Sequence, residues 1–280
     1  KRFPSGLLNK HKARLCVHGG MQQWGVNYWE TYAPVVNWIS VRFLLILSEL
    51  VGLDSRTIDF VLAFPQAELD VPVYMELPIG MEVPGHQENR KLYLLRLRRS
   101  LYGLKQASAN WYDMLRKGLQ IRGFKESVAD PCVFIKASTN ESGNALPAST
   151  IRTDSPIDCI KNFRANSSDI IVLVYVDDCI ILSRDKSSID LFISSLTHGP
   201  EKFAFTDEGT MDKYLGVEIG RLPDDQGFSL TQPYLIERVL EAANIDLRMT
   251  NSRSTPAVLP LLSRDEEGPE RKHDWKYRTL

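Results

Sequence analysis

Leu173-Val174-Tyr175-Val176-Asp177-Asp178-Cys179-Ile180-Ile181-Leu182 sets two adjacent carboxylates inside an apolar, largely β-branched run. Short apolar runs of four to eight residues are the mark of buried strands. Two such runs, Ile170 to Val176 and Cys179 to Leu182, flank the acids, so the stretch predicts a β-hairpin with Asp177 and Asp178 at its turn. Like charges held side by side raise the free energy of the ionised pair. A divalent cation with hard-oxygen preference offsets that cost, and carboxylates are its natural ligands.

Around this hairpin the sequence predicts a mixed chain. A helix is expected from Ser40, read as its N-cap, to a stop at Gly52, with Val41, Leu44, Leu45, Leu47 and Leu50 on its apolar face. Strands are expected over 57–60, 73–76 and 91–94, with a Pro- and Gly-rich loop over 78–87. Ala107, Trp111, Leu115 and Leu119 recur every four residues in a helix reaching Arg122 and closed by Gly123. Val133–Ile135 is a strand, and 137–169, rich in Ser, Thr and Asn, reads as a disordered surface insertion. A helix over 188–196, with Ser187 and Asp190 spaced as a capping box, strands over 213–219 and 228–231, and a helix over 233–243 complete the pattern. Strands and helices mix without βαβ alternation. The expected class is therefore α+β, an antiparallel sheet with helices on one face.

Bulk properties exclude several function classes. The 280 residues are 43% apolar, ample for a core, and carry no apolar run long enough for a membrane helix, so no membrane partner is expected. Cys16, Cys132, Cys159 and Cys179 are scattered, without the spacing of a zinc site or a disulfide framework, which fits a reducing compartment. Cys179 reads as a small core residue. The net charge of −1 does not suggest a nucleic-acid binder, but Arg90, Lys91, Arg96, Arg98, Arg99 and Lys105 fall in a stretch without acids. Asp59 closes the apolar strand 57–60 and needs a partner or ligand there. If that strand lies beside the hairpin, Asp59, Asp177 and Asp178 converge, and three such groups can hold two divalent ions for phosphoryl transfer.

Tyr175-Val176-Asp177-Asp178 resembles the catalytic motif of reverse transcriptases, and the rest of the chain resembles the copia-type LTR retrotransposon family. Lys12-Ala13-Arg14-Leu15, Glu30-Thr31-Tyr32-Ala33-Pro34-Val35-Val36 and Asp59-Phe60-Val61-Leu62-Ala63-Phe64 are similar to its opening motifs. Val73-Tyr74-Met75-Glu76-Leu77-Pro78-Ile79-Gly80 and Ser100-Leu101-Tyr102-Gly103-Leu104-Lys105-Gln106-Ala107, continued by Trp111-Tyr112, follow in the family's order. Ala129-Asp130-Pro131-Cys132-Val133-Phe134 and Tyr214-Leu215-Gly216-Val217-Glu218-Ile219 complete the likeness.

The resemblance implies a polymerase palm with partial fingers across 1–280 and RNA-directed DNA polymerase activity. It implies Asp59, Asp177 and Asp178 as catalytic metal ligands, with the Phe60 backbone carbonyl added, for two Mg²⁺ ions or Mn²⁺ in their place. It implies Lys12, Arg14, Phe64, Tyr102, Gly103 and Lys105 around the incoming nucleotide, with Phe64 as a gate against a ribose 2′-OH. It implies Arg96, Arg98 and Arg99 as a nucleic-acid track and Tyr214, Leu215 and Gly216 as a primer grip. The partners implied are an RNA template, a DNA primer and dNTPs, with RNase H and integrase in the parent polyprotein and a cytoplasmic virus-like particle as the place of action. Departures from the family pattern include Pro65-Gln66-Ala67, Ser108-Ala109 and the long 137–169 segment. The chain reads as truncated at both ends. Two other readings stay open: a degenerate or domesticated fragment that binds nucleic acid or protein without catalysis, and a different palm-like nucleotidyl transferase or cyclase.

Overall fold

The computed structural model describes residues 13–81, 93–137, 168–199, 201–222 and 228–243. The expected insertion over 137–169 lies almost wholly outside them, as do Lys12, Arg90 and Lys91.

The frame is a six-stranded antiparallel sheet. Its strands, in chain order, are β1 (Asp54–Phe60), β4 (Lys125–Glu126), β5 (Val133–Lys136), β6 (Ile170–Tyr175), β7 (Asp178–Ser183) and β8 (Phe205–Gly209). In space they run β4-β5-β6-β7-β1-β8. β6 and β7 are the hairpin read from the sequence, with one refinement. Tyr175 pairs with Asp178, so the turn is Val176-Asp177 and Asp178 opens β7. β1 lies beside β7, the placement on which convergence of the three aspartates depended.

Two helices cover one face. α3 (Ala107–Ile121) buries Trp111, Leu115 and Leu119, and α4 (Lys186–Leu196) buries Ile189, Phe192 and Leu196. They pack on Ile58, Phe60, Phe134, Val172, Val174, Cys179 and Ile181, every second residue of their strands. α3 ends as expected: Gly123 has φ +88°, its N–H reaches the Gln120 carbonyl at 2.9 Å and the Phe124 N–H reaches that of Leu119 at 3.1 Å. α4 is capped by Asp185, whose carboxylate accepts from the Ser187 and Ser188 amides. The Ser187–Asp190 capping box is therefore not formed, and Asp190 lies 3.6 Å from Arg56 instead.

The opposite face is covered too, which corrects the expectation of helices on one side only. There α1 (Trp38–Val51) buries Val41, Leu44 and Leu45 against Leu173, Ile180 and Leu182. Beside it sits a small sheet of β9 (Lys213–Tyr214), β10 (Val217–Arg221) and β11 (Phe228–Thr231), contributing Tyr214 and Ile219. The expected single strand over 213–219 is broken at Leu215-Gly216, both with positive φ (51° and 79°), the pattern of a two-residue hairpin turn.

α1 starts earlier than read. The Asn37 side chain accepts the Ile39 amide at 3.0 Å and so serves as the cap. Ser40 gives its hydroxyl to Asp130 at 2.6 Å. That nearly buried carboxylate also accepts the amides of Asn37 (3.1 Å) and Cys132 (2.9 Å), tying α1 to the turn before β5.

A two-stranded ribbon of β2 (Glu68–Glu76) and β3 (Leu94–Arg99) follows the short helix α2 (Ala63–Gln66). The expected strand 91–94 is shifted to 94–99, and the expected 73–76 strand extends back to Glu68. The last described helix, α5, is Pro233–Ala242. No helix among the described residues is long and apolar enough to cross a membrane. Cys16, Cys132 and Cys179 are free thiols, Cys179 in the core as expected.

Candidate active site

Asp59 is the next-to-last residue of β1, and its Cα partner on β7 is Asp178. Residues directly opposite in a ladder point to the same side of the sheet. Asp177 stands in the turn one residue before Asp178, and its carbonyl accepts the Phe60 N–H at 2.8 Å. The backbone thus delivers all three aspartates, each half-buried, to one end of two adjacent central strands. Carboxylate oxygens are the donor chemistry a hard divalent cation takes. Among the described residues no group of three or more His, Cys, Asp or Glu side chains is gathered tightly enough to be a ready-made ion cage.

A second cluster lies within electrostatic reach of the aspartates. Tyr102 packs on Phe64, ring centroids 5.1 Å apart, and the Arg14 guanidinium lies 5.3 Å from the centre of the Tyr102 ring. Burial pushes the Tyr102 hydroxyl above its ordinary pKa; Arg14 opposes that rise, while the negative charges of Asp177 and Asp59 add to it. Tyr102 therefore feels both the carboxylates and the guanidinium. Arg14, Phe64 and Tyr102 are brought together beside the acids.

Gly103 has φ +92°, and a Cβ on it would stand 2.0 Å from the Val17 carbonyl oxygen. The close backbone approach read from the sequence exists, and it is made to the segment around Val17. A Cβ on Gly19 would likewise meet the Gly103 oxygen at 2.0 Å. Val17 N–H donates to the Tyr102 carbonyl at 2.8 Å. Lys105 is engaged by the same strap. Its amide reaches Gln22 Oε1 (2.8 Å), and its ammonium reaches the Tyr28 hydroxyl (3.1 Å) and lies over the Tyr28 ring. The fully buried Gln106 accepts from Gln22 Nε2 (2.9 Å) and donates to the Asn27 carbonyl (2.8 Å). This network holds residues 13–28 against the loop carrying Tyr102. Gln22 and Tyr28 are not singled out by the sequence, because a lone glutamine or tyrosine carries no local pattern, and Gln106, though inside the Ser100–Ala107 motif, is given no role by it.

The three arginines of the basic run do not act together. Arg96 and Arg98 alternate with the half-buried Leu95 and Leu97 and are exposed on one side of the ribbon, Arg96 opposite Tyr74. Arg99 points the other way, donating to the Gln66 carbonyl and lying 4.0 Å from Glu68. It lines a cavity of about 900 Å³ shared with Asp70, Asp113, Lys117, Glu201 and Lys202, of mixed charge and without the three aspartates.

Tyr214 is also not where a nucleic-acid contact would need it. Its side chain is 4% exposed and packs in the core beneath Asp178. Burial, followed by nearby Cys179 and Asp178, pushes its hydroxyl far up, and that hydroxyl has no hydrogen-bond partner among the described residues. Leu215 and Gly216 form the neighbouring turn, Leu215 half-buried and Gly216 exposed.

The sequence marks Trp111 as a core residue of α3 and, with Tyr112, as the continuation of the Ser100–Ala107 motif, without a role at the acids. Its indole N–H donates to the Val176 carbonyl at 2.6 Å, in the turn that carries Asp177. A usable signal existed: a buried tryptophan normally finds a partner for its N–H.

Residues 5–146 match the family model described as reverse transcriptase (RNA-dependent DNA polymerase). The chain is similar to the Retrovirus-related Pol polyprotein from transposon TNT 1-94 of Nicotiana tabacum, 32% identical over 238 residues, 85% of this chain and 15% of that protein. It is similar to the Retrovirus-related Pol polyprotein from transposon RE1 of Arabidopsis thaliana, 31% identical over 246 residues, 88% of this chain and 14% of that protein. It is 31% identical over 143 residues to the Transposon Ty1-H Gag-Pol polyprotein of Saccharomyces cerevisiae, 45% of this chain and 7% of that protein. The chain thus spans a small part of the length of these relatives. No solved structure matches it.

Proposed function

Since the chain belongs to the reverse transcriptase (RNA-dependent DNA polymerase) family, we propose that it is the polymerase palm, with part of the fingers, of a copia-type retrotransposon Pol polyprotein, and that it extends a DNA primer on an RNA template. In the reaction the primer 3′-oxygen forms a bond to the α-phosphorus of a dNTP, the α–β phosphate bond breaks, and pyrophosphate leaves. The observation that carries this reading is the register of β1 on β7. It sets Asp59 opposite Asp178, with Asp177 joined to the next residue, Phe60, by a backbone hydrogen bond.

Asp59, Asp177 and Asp178, with the Phe60 carbonyl, would hold two Mg²⁺ or Mn²⁺ ions. Such ions lower the pKa of an attacking hydroxyl and neutralise charge on a departing pyrophosphate. The chain's own contribution is placement. Phe64, held by Tyr102, would stand where a ribose 2′-hydroxyl would clash. Arg14, beside Tyr102, supplies a fork of donors suited to phosphate oxygens. Arg96 and Arg98, exposed on β3, suit a nucleic-acid backbone. Lys105 and Gly103 act one step back, by holding the 13–28 strap on the Tyr102 loop. In the parent element RNase H and integrase would complete the polyprotein, and synthesis would occur in a cytoplasmic virus-like particle.

The test is dNTP incorporation on poly(rA)–oligo(dT) with Mg²⁺. Incorporation that Asp177→Asn abolishes supports the reading. Incorporation surviving that substitution removes the hairpin from the chemistry. Binding of primer–template without incorporation would favour the degenerate, non-catalytic alternative.

A further inference from the structure

The turn that carries Asp177 is under strain. Val176 has φ +55°, in the left-handed region, where a β-branched side chain crowds its own backbone. Such a conformation persists only where the surroundings impose it. What imposes it here is visible. The Trp111 indole N–H donates to the Val176 carbonyl at 2.6 Å. The indole is 2% exposed, fixed on α3 in line with the buried Ala107, Leu115 and Leu119. Its ring meets Phe60 edge to face, 5.2 Å between centroids, and Phe203 at 6.0 Å. Phe60 follows Asp59, and its N–H reaches the Asp177 carbonyl. One rigid, hydrogen-bonded ring therefore spans the two backbone segments from which Asp59 and Asp177 emerge.

We infer that Trp111 is a positioning residue: its indole N–H holds the Val176-Asp177 turn in the left-handed conformation and so fixes Asp177 relative to Asp59. Phenylalanine at 111 would keep most of the packing but leave the Val176 carbonyl without that donor. Glycine at 176 would reach the same backbone conformation without the steric cost, so the indole would have less to hold. The consequence for catalysis rests on the polymerase reading; the consequence for the turn does not.

The test uses Trp111→Phe, Val176→Gly and the double variant. Losing one hydrogen bond to a strained carbonyl corresponds to about a tenfold effect. Hydrogen exchange of the 175–177 turn is expected to quicken about tenfold in Trp111→Phe, while the β1–β7 ladder from Cys179 onward keeps its protection. In dNTP incorporation the same variant is expected to lose about tenfold in kcat with the KM for dNTP nearly unchanged. In the Val176→Gly background both effects of Trp111→Phe should shrink to about threefold or less. Unchanged exchange at the turn, or full additivity with Val176→Gly, overturns the inference.

One measurement needs no variant. Of the tryptophans described, Trp24, Trp29 and Trp38 are exposed and Trp111 is not. With ¹⁵N-tryptophan in the unsubstituted chain, the Trp111 indole N–H is expected to exchange slowly and those of Trp24, Trp29 and Trp38 quickly, and a fast-exchanging Trp111 indole overturns the inference. If the unsubstituted chain incorporates no nucleotide, the polymerase reading falls, and the two exchange measurements still decide the role of Trp111.

Discussion

Replacing Gly103 by alanine adds one methyl group at a place with no room for it. The Cβ would stand 2.0 Å from the Val17 carbonyl oxygen and 3.1 Å from Val17 N and C, all backbone atoms that cannot rotate aside. Alanine also pays for φ +92°, about 1–3 kcal/mol of backbone strain. The molecule can relieve the clash by letting the 13–28 strap lift from the Tyr102 loop. That would forfeit the Val17–Tyr102 bond (2.8 Å), the Gln22–Gln106 bond (2.9 Å), the Lys105–Gln22 bond (2.8 Å) and the Gln106–Asn27 bond (2.8 Å). At about 1 kcal/mol each, these bound the penalty near 4 kcal/mol. Gly103→Ala is therefore expected to destabilise by about 2–4 kcal/mol in urea unfolding. It should also speed tryptic cleavage after Arg14. Gly19→Ala separates the two causes. Its methyl meets the Gly103 oxygen at 2.0 Å, and Gly19 is not among the residues of positive φ, so it reports the clash alone. If Gly103→Ala unfolds at the wild-type urea midpoint with Arg14 still protected, the strap is not seated by this contact.

Asp130→Ala removes the acceptor for the Asn37 and Cys132 amides and the Ser40 hydroxyl, and should cost about 3 kcal/mol by chemical denaturation. Asp207 receives two bonds from Arg56 Nε (2.8 and 3.0 Å) and one from its Nη2 (2.8 Å). Burial raises the Asp207 pKa, but the bonds from Arg56 and the Gly209 amide outweigh it and hold the carboxyl below its ordinary range. A depressed carboxyl stabilises the fold above its unfolded pKa and loses that contribution as pH falls through the folded value. Asp207→Asn should thus cost about 1 kcal/mol at pH 7, for a pair this exposed, with the gap from wild type closing in acid. Tyr214→Phe deletes a buried hydroxyl that has no partner among the described residues, and should leave stability unchanged or raise it by about 1 kcal/mol in the same assay. Phe64→Val, if the gate reading holds, should narrow the preference for dNTP over rNTP by about tenfold or more in kcat/KM.

The features legible in the sequence were those with strong local periodicity or a strong local cost. The four-residue spacing of Ala107, Trp111, Leu115 and Leu119 marked the buried face of α3, and all four are buried. The apolar run broken by two acids marked the β6–β7 hairpin. What escaped was set by contacts distant in sequence. Ser40 is a good capping residue by type, yet its hydroxyl goes to Asp130, ninety positions on, and Asn37 takes the cap. Leu95 and Leu97 alternate with Arg96 and Arg98, a strand signal that a count of basic residues hides, and it sends Arg99 to the other side of the ribbon. Tyr214 sits at the end of a two-residue strand, where sequence alone leaves both faces open; packing against Leu173, Ile180 and Leu182 decided for the core.

The described residues with positive φ that are not glycine are Leu62, Val176 and Leu215. Leu62 and Val176 fall within three positions of Asp59 and Asp177, whereas Leu215 turns the β9–β10 hairpin beside the buried Tyr214. A turn selected only for stability would carry glycine or asparagine there, at a saving of about 1–2 kcal/mol for each residue. The fold otherwise uses glycine for this purpose, at Gly52, Gly103, Gly123 and Gly209 among others. The strain is therefore confined to the places where β1, the β6–β7 hairpin and the β9–β10 hairpin end. Side chains are kept there at an energetic cost, and Val176 is the one of the three whose carbonyl a buried indole holds. At Leu62 and Val176 the strain lies beside the strand ends that carry Asp59 and Asp177, and at Val176 a specific hydrogen bond balances it, which is the pattern that placement of acids would use.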